Sequence, residues 1–74
     1  MNLWQILEDL KRGGLVIPDA PAPCADLAAE YEQRGEYKEA AALWLAASAK
    51  CLGHNRAERY ESASDRCLKK VVPA

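Results

Sequence analysis

Residues 31–44 read YEQRGEYKEAAALW, and the glycine near their centre decides the fold. Gly35 stands between two charged, tyrosine-bearing segments and is followed by an alanine run that ends in Trp44. A chain commonly leaves a helix through the left-handed conformation, which costs a residue with a Cβ roughly 1–2 kcal/mol and glycine almost nothing. Gly35 is therefore expected to turn the corner between two helices. In this reading Tyr31 and Tyr37 brace the corner, while Ala40 and Trp44 mate the helices. Glu32, Gln33, Arg34, Glu36, Lys38 and Glu39 then fall on the outside.

The helix before the corner is expected from about Cys24, just after Pro23, to Arg34, with Leu27, Ala28 and Tyr31 on one face. The helix after it is expected from about Tyr37 to Leu52, closed by Gly53. Its apolar positions fall into two stripes: Tyr37, Ala40, Ala41, Trp44, Ala47 and Cys51, and Ala42, Leu45, Ala49 and Leu52. A helix apolar over so much of its circumference is buried on two sides, either centrally in a bundle or partly against another chain.

Towards the N-terminus, Asn2 has capping-box spacing to Gln5, and Leu3, Ile6, Leu7 and Leu10 share a face with Trp4 beside them. Gly13-Gly14 stops this helix. The stretch LVIPDAPAP, residues 15–23, has three prolines and cannot be helical throughout, yet Leu15, Val16 and Ile17 are too apolar for a free linker. An extended strap packed across the helices fits both facts. A last helix is expected from Asn55, spaced to Glu58 as a capping box, with a seam of Ala57, Tyr60, Ala63 or Ser64, Cys67 and Val71, and Pro73 as its end. The outcome is a small all-α, four-helix single domain: residues 1–14 a first helix, 15–23 the strap and 24–71 a three-helix core.

Composition excludes several function classes. At 74 residues the chain buries only about 60% of its unfolded surface, so its stability is expected to lean on oligomerisation or a partner. Ten basic residues against 11 acidic ones, for a net charge of −1, argue against autonomous nucleic-acid binding. No apolar run reaches the roughly 20 residues of a membrane span. The N-terminal stretch carries acidic residues and no cationic leader, and three widely spaced cysteines read as reduced thiols; a cytoplasmic location is expected.

No catalytic constellation emerges. His54 is the single histidine, and the Glu36/Glu39 and Glu58/Glu61 pairs have the spacing of solvated helix faces. Cys51-x-x-His54 has ligand-like spacing, and Cys24 and Cys67 would complete a zinc set, but cysteines on helix seams are ordinarily small core residues. No catalytic, cofactor or metal residue is assigned. Arg56, Arg59, Arg66 and Lys70 make the one basic concentration. With Glu58, Glu61 and Asp65 interleaved in sequence, a salt-bridged solvated face is preferred to a DNA-reading one.

The spacing Tyr31-x3-Gly35-x-Tyr37-x2-Ala40-x3-Trp44-x2-Ala47 resembles one tetratricopeptide-type hairpin. Together with Ala28, Asn55-Arg56 and Arg66-Cys67, it is similar to the ANR (AraC negative regulator) family and the related PerC-like regulators of enterobacteria and their phages. The resemblance spans roughly residues 25–68. The last helix departs from it, carrying Arg59-Tyr60-Glu61 where that family has a tryptophan-cysteine pair. The resemblance implies a cytoplasmic, non-enzymatic transcriptional regulator that acts by binding a protein, such as an AraC-type activator. Tyr37, Trp44, Leu45, Leu52, Arg56, Arg59 and Arg66 are the candidate contact residues, and a homodimer is expected. The alternatives are direct DNA binding through Arg56, Arg59, Arg66, Lys69 and Lys70, or a phage or mobile-element inhibitor of another host protein.

Overall fold

The computed structural model describes residues 2–71 and contains four helices: α1 (Leu3–Arg12), α2 (Pro21–Gln33), α3 (Tyr37–Ala49) and α4 (His54–Val71). The domain is all-α, with no strand among the described residues. Pro73, expected to end the last helix, and the side chain of His54 lie outside the described residues.

Two glycine corners fix the chain path. At the end of α1, Gly14 has φ +100°, and the Gly14 and Leu15 N–H groups donate to the Lys11 and Leu10 carbonyls, each at 3.0 Å. At the end of α2, Gly35 has φ +82°, and the Gly35 and Glu36 N–H groups donate to the Glu32 and Tyr31 carbonyls in the same pattern. Both are Schellman endings, in which a left-handed residue satisfies carbonyls that the helix leaves open. At the other end of α1, Asn2 accepts from the Trp4 N–H at 3.0 Å. Gln5 does not complete the box; its amide reaches forward to Asp9.

Three boundaries differ from the sequence expectation. Helix α2 begins at Pro21 rather than Cys24, so the strap is confined to residues 15–20. Pro21 and Pro23 fit because first-turn N–H groups have no helical acceptor, and a proline lacks nothing there. Helix α3 ends at Ala49, short of Leu52: the Lys50 and Cys51 N–H groups tighten onto the Ala47 and Ser48 carbonyls, and the Ser48 hydroxyl caps the Leu45 carbonyl. Helix α4 begins at His54, one residue before Asn55, with the Ala57 N–H donating to the Gly53 carbonyl.

Helix α3 is the centre of the domain and packs against α1, α2 and α4. Ala40, Ala41, Ala42, Leu43 and Ala47 are fully buried, and Ala46 and Ser48 nearly so. Small side chains let three helices approach one axis closely. The Cys24 thiol of α2 donates to the Leu43 carbonyl at 3.5 Å, and the Ser64 hydroxyl of α4 donates to the Ala41 carbonyl at 2.8 Å. From α1, Ile6 and Leu7 are buried, with Leu3 and Leu10 half-buried beside them. The strap packs by alternation: Leu15 and Ile17 turn in, and Val16 is 83% exposed.

The expected second stripe of α3 is corrected. Ala42 is buried, but Leu45 is half-buried, and Ala49 and Leu52 are exposed. Leu52 lies beyond the helix, in the turn. Leu43 and Ala46 occupy the buried arc instead, and Leu43 is the largest fully buried side chain of the domain.

Leu43→Ala is expected to lower stability by about 2–5 kcal/mol, measured by urea denaturation, because Leu43 is fully buried and its removal leaves a cavity in the core. Gly35→Ala is expected to cost about 1–2 kcal/mol. A Cβ at Gly35 would meet nothing within 4 Å, so that loss is backbone strain alone.

Candidate functional site

Helices α2 and α4 both pack on α3, and between them α3 presents Trp44. The Trp44 ring stacks on Tyr60 of α4, with centroids 5.6 Å apart and planes 29° from parallel. Both rings are half-buried in the strip of α3 between α2 and α4, the α2/α4 groove, and each keeps part of its surface in solvent.

Glu32 of α2 spans this groove. Its carboxylate accepts from the Trp44 indole N–H at 3.2 Å and from the Arg66 guanidinium of α4 at 2.9 and 3.0 Å. The expectation that Glu32 lies outside is thus corrected: its side chain is only 20% exposed. A residue on the edge of α2 was assigned to solvent because its partners are 12 and 34 positions away in sequence. Burial alone raises the affinity of the Glu32 carboxyl for a proton. The hydrogen bonds from Arg66 and Trp44, with the Arg66 charge, outweigh it and hold the carboxyl below the usual carboxylate range.

At about 100° per residue, Arg56, Arg59, Arg66 and Lys70 fall within an arc of about 80° on α4. Glu58, Glu61 and Asp65 fall within a separate arc of about 60° across the buried seam of Ala63, Ser64 and Cys67. The charges that alternate in sequence thus divide into a basic arc and an acidic arc, with Lys69 bordering the latter. The basic edge looks towards α2. Arg66 meets Glu32 at one end, and at the other Arg56 lines a cavity together with Pro21, the first residue of α2. Arg59 lies on the same edge between them, and both Arg56 and Arg59 are exposed.

Of the seven candidate contact residues, the structure gathers Trp44, Arg56, Arg59 and Arg66 along this groove. Tyr37 lies beyond its end, beneath Lys70, whose Nζ is 4.8 Å from the ring centroid. Leu45 is half-buried and lies about 100° around α3 from Trp44. Leu52 is in the α3–α4 turn and fully exposed. Sequence reasoning missed Glu32 and Tyr60. The signal for Tyr60 was its place on the α4 seam one turn from Ala63.

The thiols are packing elements here. Burial raises the pKa of Cys24 and Cys67, and the Glu32 charge raises Cys67 further, so both stay protonated. Among the described residues no group of three or more His, Cys, Asp or Glu side chains is placed to hold a metal ion, and no helix is long and apolar enough to cross a membrane. Comparison with protein-family models, curated protein sequences and solved structures finds no match for this chain.

Because the folded-state pKa of Glu32 is lowered, its contribution is present above the unfolded value, about 4.3, and is lost as pH falls through the folded value. Glu32→Gln is expected to flatten the fall of the thermal midpoint below about pH 4.3 relative to the parent chain, followed by circular dichroism.

Proposed function

We propose that this protein is a small, non-enzymatic transcriptional regulator that works by binding another protein along the α2/α4 groove. The observation that carries this reading is the exposed cationic edge of Arg56 and Arg59 beside the half-buried Trp44–Tyr60 floor. Aromatic and arginine side chains around a partly desolvated patch are the usual anchors of protein interfaces. Arg66 contributes less free charge because Glu32 holds it. The partner segment that fits is acidic, with an apolar side chain to cover the rings.

The class of target comes from the resemblance to ANR and PerC-like regulators, which makes an AraC-type activator the first partner to test. A cytoplasmic site of action accompanies that proposal. An inhibitor of another host protein, carried by a phage or mobile element, would use the same groove.

Direct DNA binding is the second reading, and the spatial sorting of charge on α4 favours it more than the sequence does. Few cations are free on that edge, and the net charge of −1 gives no general attraction to phosphate. Protein binding remains the proposal.

The test pairs the parent chain with the Arg56→Glu/Arg59→Glu double variant, against a purified AraC-type activator in titration calorimetry. Each residue is exposed, so the helical circular dichroism should persist. Affinity is expected to fall by about 30-fold or more, the loss of at least one strong anchor. Binding that is unchanged by the double reversal, or retardation of promoter DNA that weakens steeply with salt, would overturn the protein-contact reading.

A further inference from the structure

We infer that α1 carries a second interface, used by another copy of this chain and separate from the α2/α4 groove. Trp4 is 54% exposed, an unusual position for a tryptophan in a chain with only two. It begins a stripe of Trp4, Leu7, Glu8 and Lys11, spaced i, i+3, i+4 and i+7 on one face of α1. That stripe borders an open cavity of about 280 Å³ whose opposite wall is Ala46 and Ala49 of α3. Leu7 forms the buried floor, while Trp4, Glu8, Lys11 and Ala49 are exposed.

The chemistry of the stripe says what covers it. Read backwards, Trp4-Leu7-Glu8-Lys11 becomes Lys11-Glu8-Leu7-Trp4. An antiparallel two-fold contact between two α1 helices therefore sets Trp4 of each chain against Lys11 of the other, with Glu8 of each chain beside the axis and between two lysines, while Leu7 stays in its own core. An aromatic face receives an ammonium twice, once on each side of the axis. Glu8 also comes within a turn of Lys11 of the second copy, as it already does in its own chain, where the pair is 3.8 Å apart.

The rest of the rim is neutral as well. Asp19 and Lys50, at the far side of the cavity, pair at 3.5 Å. Two acids and two bases leave this self-facing surface without net charge, and each Glu8 has a lysine beside it. The α2/α4 edge is the reverse case, because a second copy there would set Arg56 and Arg59 against their own kind. Like charge directs that edge to a different molecule, and the neutral α1 face accepts itself. This places the expected homodimer on α1 rather than on Leu45 and Leu52.

The experiment is sedimentation equilibrium of the full chain from micromolar to millimolar concentration, repeated for Trp4→Glu, Lys11→Glu, Trp4→Phe and the Arg56→Glu/Arg59→Glu variant. The parent chain is expected to dimerise. Trp4→Glu and Lys11→Glu should each weaken the dimer on the order of 30-fold or more, since a two-fold axis counts every substitution twice. Trp4→Phe should retain most of it, and the double arginine variant all of it. Lys11 is exposed, so its variant stays informative even if Trp4→Glu were to unfold. A chain that is monomeric at millimolar concentration, or a dimer indifferent to both Trp4→Glu and Lys11→Glu, would overturn the inference. Neither result bears on the groove, whose partner is tested by the arginines alone.

Discussion

Everything in this domain depends on the thinness of α3. A helix that must touch three others cannot carry bulk on all its faces, and Ala40, Ala41, Ala42, Ala46 and Ala47 keep the backbone within reach of its neighbours. Close approach exposes main-chain carbonyls to side chains on other helices, and the structure uses two of them. Cys24 and Ser64 donate to α3 from opposite sides. Each is small enough to fit and polar enough to fix the register of its helix, which a slippery alanine face alone would leave poorly specified.

The same thinness leaves little apolar volume in the centre. Leu43, Cys24 and Cys67 are the largest fully buried side chains, and the large aromatics are all at the margins. Marginal aromatics then need polar partners. Tyr31 lies under Arg34, Tyr37 under Lys70, and Trp44 is held by Glu32. The charged residues around the corner at Gly35 are thus part of the packing, and their pairing leaves Arg56 and Arg59 as the unspent charge on the α4 edge.

The corner and the number of helices were legible from glycine positions, while the breadth of its apolar arc left α3 either central or against another chain; its packing on α1, α2 and α4 makes it central. What was not legible depends on the third dimension. Leu43 was passed over because it falls between the two stripes drawn through Ala40–Ala41 and Ala42–Leu45, and only the position of α1 and α2 shows that the arc between them is buried. Pro21 and Pro23 were read as strap because proline marks breaks more often than starts. Glu32 was placed outside because nothing local distinguishes it from Glu30 or Gln33. For the groove, Trp44 and the arginines were all named from the sequence. That they line one surface while Leu45 and Leu52 do not follows from the rotation of α4, which brings its basic edge to α2.

The order in which the helices meet has a kinetic consequence. Helices α2, α3 and α4 touch their neighbours in sequence, so their contacts close short loops. Helix α1 instead reaches past α2 to dock on α3, across the longest loop in the fold. The α2–α4 unit is therefore able to form early, with α1 joining last and leaving first in any partial opening of the native state. A partner that grips α1 holds down the element with the least to anchor it, and so suppresses that first opening.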